Sequence, residues 1–226
     1  MRQTRSSPVA RRSFLSRIVS GIAIFGGPWA ASGAAAQAQS ARAGEFRPER
    51  HTLDDWLDQL SGKHRLVFDT TSPQGLDSAL LYATNFFAAN QSGYGLKDSD
   101  LAVVIVVRHN STQFAYNNAI WSKYGAALAK MADAVDPKAS EPPASNPLLS
   151  RPRAAIDPLL KRGVHFAVCQ MATRRIAGVL AQGGGNTDAV YAELTSNLVA
   201  NSHMVPAGIV ALSRAQERGY SLAHGG

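Results

Sequence analysis

The feature that most constrains the fold is an uninterrupted apolar run, LAVVIVV, which spans residues 101–107. Four of its seven residues are valine, and β-branched residues favour strands. A strand with one solvated face would alternate apolar and polar residues, whereas this run contains no polar position. The run therefore predicts a strand that is buried on both faces, as in a parallel sheet covered by helices on both sides.

Strand-like and helix-like segments alternate along the rest of the chain. Further strands are predicted at residues 65–69, 164–168, 203–205 and 220–223. Helices are predicted at residues 52–60, 76–91, 115–134, 171–182, 187–200 and 206–218, with Thr52 and Thr187 as caps and Pro206 as the first residue of the last helix. This alternation predicts an α/β fold, a three-layer domain with a mainly parallel sheet of about five strands and helices on both faces. Residues 137–158 hold six of the eleven prolines and are predicted to be a long irregular loop.

The first 38 residues have the features of an export signal. Arg11 and Arg12 are followed by Phe14 and Leu15, then by a weakly apolar stretch that is too short to span a membrane. The stretch ends in small residues, and cleavage is predicted after Ala38, with Ala36 as the second choice. The paired arginines resemble a twin-arginine signal, which is an address read by a receptor. We therefore expect export to the periplasm and a mature protein with no membrane span.

The positive charge of the chain is concentrated in this leader. The formal net charge is +7, but residues 1–38 contain five arginines and no acidic residue. The rest of the chain holds 18 basic and 16 acidic residues, so its charge is nearly balanced. We therefore expect no nucleic-acid partner. The predicted organisation is a signal peptide at residues 1–38, a segment with a short amphipathic helix at residues 39–62, and the α/β domain at residues 63–226.

Polar or reactive side chains follow three of the predicted strands. In open α/β sheets, ligands bind beyond the carboxyl ends of the strands. Cys169 and His109 are the candidates for chemistry at this edge. Five further residues are candidates for ligand binding: Thr71, Ser72, Asn110, Gln170 and, if the fourth strand reaches the same edge, His203. We interpret the other four histidines, His165 among them, as surface or rim residues.

Cys169, the only cysteine, lies between a predicted strand and a predicted helix. The free N–H groups at the start of a helix favour a thiolate there, and Arg174 and Arg175 follow within two turns. An inert, buried cysteine fits the same position, because unpaired cysteines are commonly buried. The sequence leaves both interpretations open. A single cysteine excludes an intrachain disulfide and a multi-cysteine zinc site.

Several segments resemble the DsrE/DsrF-like family of small sulfur-relay proteins. They are GVHFAVCQMA at residues 163–172, LAVVIVVRHN at residues 101–110, VPAGIVAL at residues 205–212 and QERGY at residues 216–220. The resemblance covers about residues 63–226. Residues 114–124, which contain NNAIW, resemble an exported branch that carries twin-arginine signals.

The resemblance implies a five-stranded α/β domain that assembles into trimers or hexamers. It also implies that Cys169 carries a persulfide and passes it on, with His109 as a neighbour. The expected function is thus a periplasmic protein that binds or relays sulfane sulfur, with an unknown sulfur donor or acceptor and no resident cofactor beyond that persulfide. Two alternatives remain open: a non-catalytic ligand-binding or oligomeric module, and a metal site built from His109, Cys169 and His203.

Overall fold

The structure, a computed structural model, describes residues 47–134 and 141–225. The predicted signal peptide lies outside these residues. In the described part of the chain, the strands are β1 (His64–Thr70), β2 (Leu101–Val107), β3 (His165–Cys169), β4 (Ser202–Val205) and β5 (Ser221–His224). They form a single sheet in the order β4-β3-β2-β1-β5, and all neighbouring pairs are parallel. The predicted α/β fold is confirmed.

The helices cover both faces of this sheet. They are α1 (Trp56–Gln59), α2 (Pro73–Tyr94), α3 (Asn118–Met131), α4 (Ile156–Lys161), α5 (Gln170–Leu180), α6 (Thr187–Thr195) and α7 (Gly208–Gln216). Short 3-10 turns cover Thr52–Asp54, Asp98–Asp100 and His109–Ala115. None of the described helices is long and apolar enough to cross a membrane.

Strand β2 explains why the molecule has three layers. All seven of its residues are buried, and successive side chains point to opposite faces of the sheet. Val103, Ile105 and Val107 belong to the core shared with α2 to α6, whereas Val104 and Val106 belong to the core shared with α1 and α7. An apolar run without polar interruption is therefore what the central strand of this sheet requires.

The proline-rich segment is tied to the domain by a buried asparagine. The side chain of Asn146 donates to the carbonyls of Phe114 and Tyr116, both at 2.8 Å, and accepts from Leu148 N at 3.0 Å. The segment also passes very close to α3, where a Cβ on Gly125 would lie 1.8 Å from the Pro143 carbonyl oxygen. Residues 141–155 are irregular, as predicted, but the predicted loop ends early because α4 begins at Ile156.

Two predicted helix starts are wrong. Asn186, not Thr187, caps α6, because its side chain accepts from Ala189 N at 3.0 Å. The last helix begins at Gly208 and not at Pro206, since Ala207 is still extended with φ −151°. The predicted ends also differ: α6 stops at Thr195, before the expected residue 200.

Two further segments depart from the predicted helices. Thr52 does not cap a continuous helix at residues 52–60, because the chain forms a 3-10 turn before α1 begins at Trp56. Leu53, in this 3-10 turn, is 74% exposed. The predicted helix at residues 115–134 begins at Asn118, and the preceding residues, His109–Ala115, form a 3-10 turn instead.

Candidate functional site

Cys169 is the last residue of β3 and the N-cap residue of α5. Parallel pairing places it beside Val205 at the end of β4. The residue is 7% exposed and its thiol is free. The hydroxyl of Thr173, one turn into the helix, donates to the Cys169 carbonyl at 3.0 Å. Strand pairing and helix packing thus fix the position of the thiol at the carboxyl edge of the sheet.

A cavity of about 310 Å³ lies in front of Cys169 at this edge. His109 borders the same cavity, so the structure brings the two predicted chemical residues together. The rest of the lining combines two arginines with small or apolar residues: Arg108, Arg175, Met171, Ala172, Ala207, Gly208 and Ile209. The pocket is therefore apolar around its walls, with positive charge and a thiol inside it.

Two helices begin at this pocket without a side-chain cap. Neither Cys169, at the start of α5, nor Ala207, at the start of α7, makes a side-chain capping hydrogen bond. Of the other described helices, α2, α3 and α6 are capped by Ser72, Asn117 and Asn186, whereas α1 and α4 also lack a side-chain cap. Uncapped N-terminal N–H groups carry partial positive charge and bind anions. Both helix starts at the pocket thus keep N–H groups available for an anion.

The two arginines of the pocket differ in their partners. Arg108 makes a two-pronged ion pair with the buried carboxylate of Asp69, with Nε–Oδ1 2.7 Å and Nη2–Oδ2 2.8 Å. Hydrogen bonding to Asp69 raises the pKa of Arg108, and the proximity of Cys169 adds to this effect. Arg175 is exposed and has no ion pair with a carboxylate of the described residues. The uncompensated charge at the pocket therefore belongs to Arg175.

Arg174 does not contribute to the pocket. Its guanidinium lies 4.1 Å from the centre of the Tyr191 ring and 3.7 Å from the carboxylate of Asp188, both on α6. Position in the sequence alone did not distinguish the two neighbouring arginines. Their directions follow from the helix, because consecutive residues point about 100° apart.

His109 is placed by a strained turn. Its φ of 53° lies in the left-handed region, which is uncommon for a residue other than glycine. The turn is held by Ser111, whose hydroxyl accepts from Arg108 N at 3.0 Å and donates to the Thr70 carbonyl at 2.9 Å. Among the described residues, the imidazole of His109 has no hydrogen-bond or ion-pair partner. Its ring nitrogens are therefore available to a ligand at the pocket.

The four other residues predicted at this edge lie there without bordering the cavity. Ser72 caps α2 by accepting from Gly75 N at 3.0 Å. Asn110 N donates to the Thr71 carbonyl at 2.9 Å, which joins the two turns. Gln170 is the first residue of α5 and is half-buried. Ser72 thus fixes the start of α2, and the bond between Asn110 and Thr71 holds the turn that carries His109.

His203 is the candidate site residue that the structure places away from this edge. It lies opposite Ala167, the middle residue of β3. It borders a different cavity, near the start of β2 and β3. The ring stacks on Trp56 at 4.0 Å and its Nε2 lies 2.9 Å from Nδ1 of His165. Burial, together with the neighbouring His165, lowers the pKa of His203 to about 4.

The metal site proposed from His109, Cys169 and His203 does not form, because His203 lies at the other end of the strands. No group of three or more His, Cys, Asp or Glu side chains in residues 47–134 and 141–225 is arranged to hold a metal ion.

The sequence analysis also missed the start of α7 as a pocket wall. The signal available was Gly208, at the first position of a helix, where glycine permits close approach.

Comparison with known proteins leaves the family open. No protein-family model matches the chain, and no curated protein matches it. A solved structure of a protein of unknown function from Methanobacterium thermoautotrophicum is similar over 71% of this chain and 98% of that chain, with 14% sequence identity and a TM-score of 0.38.

Proposed function

We propose that this chain is an exported protein that accepts and carries sulfane sulfur on Cys169. The observation that supports the proposal is the pocket in which a free thiol, two uncapped helix starts and an unpaired arginine meet. Thiolates and persulfides are sulfur anions, and these are the groups that stabilise an anion. The proposal agrees with the resemblance of the sequence to sulfur-relay proteins.

The proposed transfer is a thiol–persulfide exchange. The Cys169 thiolate attacks the outer sulfur of a donor persulfide, forming a new S–S bond at Cys169. The S–S bond of the donor breaks, and its electron pair leaves on the donor thiolate. The transferred sulfur keeps its hydrogen, so that RSSH and a Cys169 thiolate become RS⁻ and a Cys169 persulfide. No external oxidant or reductant is needed.

The surroundings of Cys169 supply the stabilisation in three parts. Each helix start contributes roughly 0.3–1 kcal/mol to an adjacent negative charge, so α5 and α7 together contribute about 0.6–2 kcal/mol. Arg175 adds a full charge at the mouth of the pocket. His109 supplies a free ring nitrogen that can donate a hydrogen bond to the terminal sulfur of the persulfide.

Export remains part of the proposal on sequence grounds. The twin arginines Arg11 and Arg12 precede a short apolar stretch and small residues. Changing both to lysine is expected to leave the precursor in the cytoplasm, as measured by fractionation and immunoblotting. Unimpaired export of that variant would contradict a twin-arginine route.

Sulfur loading is tested by intact-mass spectrometry of the protein purified after export. We expect incubation with glutathione persulfide to add the mass of one sulfur atom, and Cys169→Ser to abolish the gain. Arg175→Gln should slow loading, whereas the matched variant Arg174→Gln should not, because Arg174 contacts Tyr191 and Asp188 instead.

Sulfur loading together with alkylation of Cys169 tests the simpler alternative, a pocket that binds a ligand without chemistry. Five apolar or small residues line its walls, which suits a small anion with an apolar body: Met171, Ala172, Ala207, Gly208 and Ile209. If no sulfur is loaded, while butyrate protects Cys169 from alkylation by iodoacetamide, the sulfur-carrier proposal is wrong and the binding module is favoured.

A further inference from the structure

A second cavity lies at the opposite end of the sheet from Cys169 and takes no part in the proposed sulfur chemistry. It has a volume of about 520 Å³ and is bordered by His165, His203 and Trp56. His165 is the first residue of β3 and His203 the second residue of β4. Both side chains point to the face of the sheet that α1 and α7 cover, since His165 and His203 lie two residues before Ala167 and Val205, which belong to that core.

The two imidazoles face each other through their ring nitrogens. His165 Nδ1 and His203 Nε2 are 2.9 Å apart, and the rings are inclined by only 21°. Trp56 holds them in place, because its indole stacks on the His203 ring at 4.0 Å with an interplanar angle of 7°. Three stacked rings therefore fix a pair of nitrogen atoms at the wall of an open cavity.

The charge of the lining does not exclude a cation. Arg162 is neutralised by Asp98, with Nη2–Oδ1 2.7 Å and Nε–Oδ2 2.9 Å. Lys161 is exposed and can turn towards solvent. Oxygen-bearing side chains of Ser61 and Ser99 also border the space. Water has access to the cavity and can complete the coordination of an ion there.

We propose that His165 and His203 form a two-ligand site for a divalent transition metal, Zn²⁺ or Cu²⁺, completed by water in the cavity. Imidazole nitrogen is a preferred ligand of both ions. Two Zn–N bonds of about 2.0–2.1 Å at a tetrahedral angle place the nitrogens about 3.3 Å apart, which is close to the present spacing. A small outward movement of the two rings accommodates the ion.

Metal binding requires a tautomer change and no net release of a proton. In the hydrogen-bonded pair, one inner nitrogen carries hydrogen and the other accepts it. That hydrogen moves to the other nitrogen of the same ring. The two facing nitrogens, His165 Nδ1 and His203 Nε2, then each offer a lone pair to the ion. The ion replaces the hydrogen bond between β3 and β4 with two coordinate bonds.

Trp56 makes this site directly observable. A Cu²⁺ ion bound to His203 would lie beside the indole and quench its fluorescence, whereas Trp121 is fully buried in the core on the other side of the sheet. We expect saturable quenching with one Cu²⁺ per chain in the exported, chelator-treated protein, and the same stoichiometry for Zn²⁺ by calorimetry. A Cys169→Ser background removes the thiol as a competing ligand.

His165→Gln and His203→Gln should each weaken binding by more than roughly 10–100-fold, the range for losing an outer-sphere partner alone. His64→Gln is the matched control, because His64 is an exposed histidine at the same end of the sheet, on β1. It should bind metal like the parent. Trp56→Phe should abolish the quenching but retain the calorimetric signal. Circular dichroism checks that each variant is folded. Absence of saturable binding, or an equal loss in His64→Gln, would overturn the proposal.

Discussion

Replacing Gly208 with alanine tests the packing that shapes the Cys169 pocket. Gly208 is the first residue of α7, and a Cβ there would lie 2.8 Å from Arg108 Cβ, 2.9 Å from Arg108 Cδ and 3.0 Å from Val106 Cγ1. Arg108 cannot swing away freely, because its guanidinium donates two hydrogen bonds to Asp69. Val106 is fully buried and has no free space to enter.

The expected effect is opposite in sign to that of an ordinary glycine-to-alanine change in a helix. Alanine normally stabilises a helix interior by roughly 0.5–1 kcal/mol relative to glycine. Overpacking a filled core costs about 1–3 kcal/mol, so Gly208→Ala should lower the free energy of unfolding by about 1–2 kcal/mol. Gly178 in α5 is the matched control, because no atom outside its own helix backbone lies within 4 Å of its Cβ position. Gly178→Ala should therefore be stabilising.

Thermal unfolding followed by circular dichroism separates the two variants. At about 2–4 °C per kcal/mol for a protein of this size, Gly208→Ala should lower the Tm by about 2–8 °C and Gly178→Ala should raise it by about 1–4 °C. The rate at which iodoacetamide alkylates Cys169 should change only in Gly208→Ala, because Gly208 borders the pocket. If both variants gain stability equally, the close contact between α7 and Arg108 is wrong.

Three further predictions concern buried polar groups. Asp69→Asn leaves the charge of Arg108, which is 20% exposed, without its partner, so the free energy of unfolding in urea should fall by about 2–4 kcal/mol, somewhat less than for a fully buried pair; a loss under about 0.5 kcal/mol would contradict it. Asn146→Ala removes three buried hydrogen bonds and should cost about 2–4 kcal/mol, with proteolysis then starting in the proline-rich segment. Burial and His165 lower the pKa of His203 to about 4, whereas an unfolded histidine titrates near 6.5. Between these values the unfolded chain binds more protons, so stability in chelator should fall as the pH drops from about 6.5 to 4, and His203→Gln should flatten this dependence.

The central sheet was predictable because its signal is local. The LAVVIVV run and the apolar runs at residues 65–69 and 164–168 each identify a strand, and the helical crossovers that connect them make consecutive strands parallel. The carboxyl ends of parallel neighbours meet at one edge, which is why His109 and Cys169 were expected to be close. The structure has β1, β2 and β3 side by side, with both residues on one pocket.

The helix boundaries were less predictable because side chains compete for the same backbone groups. After β2, the hydroxyl of Ser111 binds the backbone of Arg108 and draws the chain into a 3-10 turn. At α4, Pro158 suggested a loop, yet it occupies the third residue of the helix, where its missing N–H has no helical partner to lose. Neither competition is visible in hydrophobic periodicity.

His203 was misplaced for a different reason, since its error is one of register. Strand β4 has only four residues. Such a short strand has too few apolar and polar positions to indicate at which end of the strand His203 lies. The stacking of Trp56 on His203 joins residues that are far apart in the chain, and no local signal predicts it. The cavity of the His165 and His203 pair is therefore a finding of the structure alone.

The two cavities differ in the sign of the ion that they suit, and the fold itself provides part of the reason. In a parallel α/β sheet each helix runs back against the strands, so helix N-termini gather at the carboxyl edge and C-termini at the opposite edge. The starts of α5 and α7 border the Cys169 pocket, where a sulfur anion is favoured. The end of α4, at Lys161, borders the histidine cavity, and the dipole of a helix favours a cation at its C-terminus. If this polarity contributes to both sites, Zn²⁺ should leave sulfur loading of Cys169 unchanged while raising the Tm, because the ion binds at the other end of the sheet. Inhibition of loading by Zn²⁺ in His203→Gln would instead place a metal on Cys169 and contradict the separation of the two sites.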